Sequence, residues 1–377
     1  MIIDENTLFE KLNGAKNVLL VEPDHRKKYP PLALAKIKTY LTSKGISSKF
    51  SNTVLPEKFD LICITTLFTY YSETVFSIIR NKGFFNADTP VIVGGVFATL
   101  MPEQFEKFGN VFVFKGYSKI LDSQAPDKSM MIPRNNKWDG FSWVFTSRGC
   151  PNRCAYCAVW RIEQDRWYNK NWLNHLHSDT KNVVIMDNNI SSMDPKRLTG
   201  IVDILLERKI KVMLEGVDCK FVTKEIAKIL GRVKYVRHGL RTAFDRLEED
   251  GTFQSAIKLL KKEGVNKESF MAYVLYNFVD KPHDANYRME QCLALGIRAY
   301  PQCFRPLNTL HKRTDFVGKH WTLRLTKAFR TFWIMKSIRH GYVGISFDQY
   351  IKSKEAKDRW RLTESDINMW ETNSENK

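Results

Sequence analysis

Short apolar runs separated by stretches of helical period recur along most of the chain, and that alternation restricts the fold more than any other feature. "NVLLVEP" (17–23), "FDLICITT" (59–66), the start of "TPVIVGGVFATLMPEQFEKFG" (89–109) and "NVFVFKG" (110–116) fill the first third. Their apolar residues are consecutive rather than alternating. Strands of that kind are covered on both faces, as in a parallel sheet between helical layers. Leu32 to Ser43 has helical period and stops at Gly45, and the turn at Gly94 and Gly95 opens another helix. A second series begins at Trp143 with "WVFTS" (143–147), "NVVIMDN" (182–188), "KVMLEGV" (211–217), "YVRHGL" (235–240), "FMAYVLY" (270–276) and "IRAYPQCF" (297–304). Between them Leu198, Ile201, Val202 and Leu205 mark one apolar helix face, and Ile226, Ile229 and Leu230 another.

The first series predicts a doubly wound α/β domain over residues 1–135, with ligands at the carboxyl ends of its strands. The polar stretch 123–140 reads as a linker. Six strand–helix repeats follow over 136–310. They are too few for a closed eight-stranded barrel and suit an open (β/α)6 partial TIM barrel. A basic helical C-terminal extension is expected over 311–377. Between Arg305 and Arg339 nine Lys or Arg residues stand against one acid, Asp315. Two readings of that tail are open. Lys319, Arg324, Lys327, Arg330, Lys336 and Arg339 can follow a phosphate backbone. Alternatively, Trp321, Leu325, Phe329 and Phe332 form an apolar helix face packed on the barrel while the charges are solvated, which explains the aromatics more economically.

Composition narrows the class. The 377 residues are 43% hydrophobic and 27% charged, the balance of an ordinary soluble globular protein. No uncharged apolar run reaches the roughly 18 residues of a membrane span, and "MIIDENTLFEKLNG" lacks a signal-peptide pattern. The expected compartment is the cytoplasm, with no membrane partner. Seven cysteines without a secretory signal argue against a disulfide framework. A net charge of +18 favours an anionic partner: a nucleotide, a nucleic acid or a phosphorylated metabolite.

Three of the cysteines, Cys150, Cys154 and Cys157, lie in "SRGCPNRCAYCAVW" (147–160) with C-x3-C-x2-C spacing. A structural zinc site wants four ligands, and no second pair exists. Haem attachment needs a histidine where Ala158 stands, and a redox C-x-x-C has no need of Cys150. Three thiolates on one loop can hold three irons of a cubic iron–sulfur cluster. The fourth iron then has an open position for a substrate or cofactor. This motif, following the first strand of a partial barrel and with Tyr156 before the last cysteine, resembles that of the radical S-adenosylmethionine superfamily. The resemblance covers roughly 140 to 305. It implies a [4Fe–4S] cluster on the three cysteines, S-adenosylmethionine on the open iron, a 5′-deoxyadenosyl radical that abstracts hydrogen from substrate, and a reductant such as flavodoxin or ferredoxin. Tyr156 is then expected against the adenine.

The N-terminal segments "PPLALAKIKTYLTSKG" and "PVIVGGVFATLMPEQF" resemble the cobalamin-binding domain that precedes many enzymes of that superfamily. The resemblance implies a flavodoxin-like sheet that holds a corrin over the barrel mouth, with Gly94 and Gly95 allowing close approach of its nucleotide tail. The D-x-H-x-x-G motif that supplies a histidine to cobalt is absent; Asp24 and His25 are adjacent, followed by Arg26, Lys27 and Lys28. Bound cobalamin and a relict domain that shapes the substrate pocket both remain open.

Other residues are candidates by position. Asp187, Asn188 and Asn189 end the second strand of the barrel series, where the family places polar contacts to the methionyl amine; a simple Asx turn is the alternative. Glu215 ends an apolar strand, and a buried carboxylate there needs a partner, such as the cofactor's ammonium or ribose. Arg241 and Arg237 flank "HGL" and are candidates for the cofactor carboxylate, with a surface salt bridge as the alternative. Tyr276, with Asn277, and Gln302 stand at strand ends where barrel pockets form. Cys219 and Cys303 read as small buried hydrophobes, and no role is assigned to His25, His238 or His283. The expected reaction is C–H functionalisation, methylation or rearrangement, of an anionic substrate. The alternative is a nucleic-acid-binding protein whose metal cluster is structural.

Overall fold

The computed structural model describes residues 1–24, 29–131, 138–312 and 316–371. His25 and its basic run, residues 132–137 of the expected linker, Asp315 and the last six residues lie outside them. The chain forms two compact units. The first comprises the described residues of Met1–Val183 and Leu307–Thr314, the second those of Val184–Pro306 and Asp315–Lys377. Both are mixed α/β and built on parallel strands.

The first unit opens with β1 (Ile2–Ile3), β2 (Asn17–Val21), β3 (Ser47–Ser51), β4 (Leu61–Thr66), β5 (Val91–Gly95) and β6 (Val111–Phe114). They form one sheet in the order β1-β6-β5-β4-β2-β3, with every pair parallel. Val18, Leu19, Leu20 and Val21 are wholly buried, as consecutive apolar residues require. Phe59, Phe76, Phe97 and Phe105 close the core on one side of the sheet. Strand β3, "SSKFS", carries no apolar run because it is an edge strand, paired with β2 alone and largely exposed. The helix expected after β5 is broken into Val96–Leu100 and a 3-10 turn, Pro102–Phe105. Pro102 forces Met101 out of helical geometry, to φ −138° and ψ 58°.

Further along the same unit lie β7 (Phe141–Val144), β8 (Ser147–Arg148) and β9 (Trp167–Tyr168). The expected single strand over 143–147 is therefore two short ones. β8 and β9 pair antiparallel, Ser147 with Tyr168 and Arg148 with Trp167, and so close the cysteine-bearing loop at its base.

The boundary between the units falls inside β10 (Asn182–Ile185). The second unit continues with β11 (Lys211–Val217), β12 (Tyr235–Ala243), β13 (Phe270–Tyr276) and β14 (Arg298–Cys303), each beside the strand before it. The pairs from β11 to β14 are parallel. Helices Pro195–Glu207, Lys224–Gly231, Thr252–Lys262 and Pro282–Ala294 make the connections. From Phe316 onward the basic tail belongs to this unit. Leu325, Phe329 and Phe332 are buried on the helix Leu323–Trp333 and Trp321 is buried just before it, with Phe347, Tyr350 and Trp370 around them.

One buried cation ties this sheet to a helix. Arg288, wholly buried, donates from Nη1 to the carbonyls of Phe244, Asp245 and Leu275. Its Nη2 lies 2.8 Å from Asp280. The guanidinium thus joins the ends of β12 and β13 to the helix that follows. Arg288→Met removes every donor while keeping the bulk. It is expected to lower the unfolding free energy by about 3–5 kcal/mol, because an uncompensated carboxylate and three carbonyls stay buried; urea denaturation checks this, and a loss under about 1 kcal/mol would refute it.

Candidate metal centre

The cysteine loop is held from below by charges that the apolar pattern does not reveal. Arg148, the last residue of β8, grips Asp122 with two parallel bonds: Nε to Oδ2 at 2.7 Å and Nη2 to Oδ1 at 3.1 Å. Its remaining nitrogen, Nη1, donates to Glu163 Oε1 at 2.8 Å. Glu163 in turn accepts from the Gly149 amide at 2.7 Å. Lys36 reaches Asp122 at 2.7 Å, and Asn169 donates to the Asp122 carbonyl at 3.1 Å. The guanidinium stacks on Phe145, 3.4 Å from the ring centroid. Two cations and two carboxylates are thus removed from water together, with every guanidinium nitrogen bonded.

This environment sets the proton affinities. Burial pushes the Asp122 carboxyl up, but Arg148 and Lys36 outweigh it and hold the pKa at about 2. Burial likewise lowers the Lys36 amine, and Asp122 opposes that shift only in part. A depressed carboxyl pKa contributes stability that is fully present above its ordinary value of 3.8 and is lost as pH falls toward 2. The first unit should therefore lose stability between about pH 4 and pH 2, and Asp122→Asn should be less stable at pH 7 with a flatter profile across that window. Denaturant titrations at stepped pH measure both; an unchanged slope in the variant would rule this linkage out.

Above the ion network the backbone turns sharply. Gly149 has φ +80°, and a side chain there would come within 2.6 Å of the Asp165 carbonyl. Cys150, Cys154 and Cys157 follow, all half-buried thiols. The Cys157 amide donates to the Cys154 carbonyl at 3.0 Å, which makes the second and third cysteines the ends of one tight turn. Trp160 Nε1 donates to the same carbonyl at 3.0 Å. The Val159 amide points at Cys157 Sγ at 3.5 Å. Tyr156, half-buried, stands inside the turn.

The strand-end candidates of the second unit form their own constellation. Glu215 Oε2 lies 2.6 Å from Arg241 Nη1. Burial raises the Glu215 carboxyl, with Arg241 opposing. Its other oxygen, Oε1, is buried without a hydrogen bond among the described residues. The next residue, Gly216, passes so close to the end of β10 that a side chain would sit 2.5 Å from the Asp187 carbonyl and 2.4 Å from that of Asn188. Asp187 is buried and Asn188 half-buried at that strand end. Asn189 instead caps the turn Ile190–Ser192 and donates to Asp218 at 3.2 Å.

No family model matches the chain, and no curated protein does. Among solved structures it is similar to coproporphyrinogen III oxidase from Escherichia coli, described as a radical SAM enzyme, at a TM-score of 0.34 and 10% identity. The alignment covers 44% of this chain and 42% of that one, so the chain spans less than half of that enzyme's length.

The remaining candidates lie elsewhere. Tyr276 is buried against Trp321 and Phe329, its hydroxyl 3.3 Å from the Thr326 carbonyl. Gln302 is exposed. Gly95 has φ +101°, and a side chain would fall 2.2 Å from the Thr66 carbonyl, so the glycine is required by the packing of β5 on β4. Gly94 meets only ordinary contact, at 3.8 Å. Arg237 lies on β12, as does His238. Burial pushes the Cys219 thiol up to about 12 and disfavours its thiolate.

The cysteine loop fits an iron–sulfur cluster on its donor chemistry. It offers three thiols on one turn with an amide directed at sulfur, and no lysine or arginine intervenes except Arg153. Among the described residues no three His, Cys, Asp or Glu side chains converge on a point where one ion could sit. A cubic cluster asks each thiolate to bind a different iron, so its donors need not converge. Sequence reasoning missed Lys36, Asp122, Arg148, Glu163 and Asn169. The one local signal was Arg148 directly before the Gly-Cys turn.

Proposed function

We propose that the chain is a radical S-adenosylmethionine enzyme in which Cys150, Cys154 and Cys157 hold a [4Fe–4S] cluster. The observation that carries this reading is the C-x3-C-x2-C loop itself, closed by β8 and β9 and pinned by Arg148 and Glu163. When bound, such a cluster supplies the electron that cleaves S-adenosylmethionine and so begins hydrogen abstraction from substrate. The ion network fixes the entry of the loop, and Gly149 permits the turn into the first ligand. Tyr156 is proposed against the adenine. Glu215 and Arg241 carry the charges that suit an ammonium and a carboxylate; Asp187 and Asn188 offer polar groups at a strand end, and Tyr276 and Gln302 are retained at the ends of β13 and β14.

The consecutive strand order from β10 to β14, with a helix at each step, supports a partial TIM barrel over 136–310. The order β3-β2-β4-β5-β6 is that of a flavodoxin-like sheet, whose ligands lie where the order reverses, beyond β2 and β4. It supports an N-terminal domain of cobalamin-binding architecture over 1–135, with the basic helical extension over 311–377 as the third part. Gly95 counts for less toward a cobalamin tail, having its own reason in Thr66. The substrate is proposed to be anionic, the reaction C–H functionalisation, the reductant a flavodoxin or ferredoxin, and the compartment cytoplasmic. No helix among the described residues is long and apolar enough to cross a membrane.

The test is anaerobic. Protein reconstituted with iron and sulfide, reduced with dithionite and given S-adenosylmethionine should yield 5′-deoxyadenosine, and Cys154→Ala should yield none. Glu215→Gln should keep the cluster absorbance while weakening S-adenosylmethionine binding about tenfold. S-adenosylhomocysteine formed only with added cobalamin would identify methyl transfer. A loaded cluster that gave no product and no spectral response to S-adenosylmethionine would overturn the assignment in favour of a nucleic-acid-binding protein with a structural cluster.

A further inference from the structure

Within the second unit the start of the helix Leu323–Trp333 and the turn Arg359–Arg361 line a cleft of about 600 Å³. Four cations face it, Arg324, Lys327, Arg359 and Arg361, together with Trp360 and a single carboxylate, Asp366. That carboxylate is already engaged. Oδ1 accepts from the Thr322 hydroxyl at 2.5 Å, and Oδ2 from the amide and hydroxyl of Thr363, both at 2.8 Å. Burial raises its pKa, but these donors outweigh it and keep the group ionised. Arg324 approaches it only to 3.7 Å. Among the described residues Lys327, Arg359 and Arg361 form no salt bridge.

Two features show that the cluster is built rather than incidental. Arg361 ends the helix Lys354–Trp360 in the left-handed conformation, φ 52°, where glycine is the ordinary choice. An arginine there bears a conformational cost and keeps a positive charge in the cleft. The Trp360 indole is held at its edge, donating to the Tyr350 hydroxyl at 3.0 Å, with the Arg359 guanidinium 5.3 Å from its centroid. A half-buried ring fixed beside several cations is a platform for a planar group next to an anion.

We propose that this cleft binds a nucleotide, its phosphate held by Arg324, Lys327, Arg359 and Arg361 and its base stacked on Trp360. The volume suits a ligand of that size. The nucleotide is either a free one or a unit of a single strand, and the same chemistry serves both. The inference is independent of the iron–sulfur reading, and its measurements do not use turnover of S-adenosylmethionine.

Full-length protein is titrated with inorganic phosphate, with adenosine monophosphate, and with a fluorescein-labelled single strand of about 12 nucleotides. Adenosine monophosphate should bind about tenfold more tightly than phosphate if the base stacks, and Arg359→Ala/Arg361→Ala should weaken nucleotide binding at least about tenfold. Lys258→Ala/Lys262→Ala removes the same charge from exposed positions of the helix Thr252–Lys262 and should leave binding unchanged. Displacement of the strand by adenosine monophosphate identifies a free-nucleotide site. Binding of the strand alone, falling steeply between about 50 and 200 mM salt, identifies a nucleic-acid site. Absence of binding to either nucleotide form, equal affinity for phosphate and adenosine monophosphate, or equal weakening in the two double variants would overturn the proposal. Circular dichroism of each variant separates lost binding from lost folding.

Discussion

The first unit depends on the two-pronged bond between Arg148 and Asp122. Asp122 ends a helix that follows the sixth strand of the N-terminal sheet, whereas Arg148 enters the cysteine loop. The pair is thus the point at which the loop takes its position from the sheet. Lys36, on a helix covering that sheet, adds a second cation, and Glu163, past the last cysteine, adds a second anion. Replacing such a buried set by apolar residues often costs nothing, whereas breaking it is expensive. Its value here lies in position. Charge-assisted bonds with planar geometry accept one register and one angle, so the loop entry is specified in a way that apolar packing alone would leave loose.

That arrangement explains why the parts of the molecule were unequally legible. Consecutive apolar residues announce a strand covered on both sides, and Lys211–Val217 and Phe270–Tyr276 coincide with the runs read from sequence. Polar edge strands announce nothing: Ser47–Ser51 has a single partner and faces water. The cysteines stand out in the sequence because three lie within eight residues at a regular spacing. Their supports do not, because Lys36, Asp122, Arg148 and Glu163 are distant in sequence and of types that ordinarily lie on surfaces. The cleft around Trp360 shows the same limit. Apolar periodicity gave the buried face of Leu323–Trp333, with Phe329 and Phe332 in the core, but no local pattern joins Arg324 to Arg361.

The glycines at strand ends illustrate how a motif acquires two meanings. Gly95 and Gly216 each stand where a ligand could approach the backbone, and both are required by a nearer neighbour: the Thr66 carbonyl for one, the carbonyls of Asp187 and Asn188 for the other. Gly149 is likewise fixed by Asp165. A glycine explained by protein packing has no further weight as evidence for a cofactor. Side chains whose own bonding is incomplete point more directly to a ligand.

Comparison of two ion pairs makes the distinction. At Arg148 every guanidinium nitrogen has an acceptor, and Asp122 is held by two cations. Nothing in that arrangement asks for a ligand, and it reads as architecture. Glu215 and Arg241 meet at 2.6 Å, yet the second oxygen of Glu215 is buried with no donor among the described residues. An unsatisfied buried acceptor costs about 1–3 kcal/mol, and more where the group is charged. Burial raises its pKa, with Arg241 opposing. A cationic or hydroxyl donor supplied from outside would complete the pair. On the proposed reading, the ammonium and ribose of S-adenosylmethionine would offer both, and Glu215 is then a more direct probe of that reading than the fully bonded network beneath the cysteines.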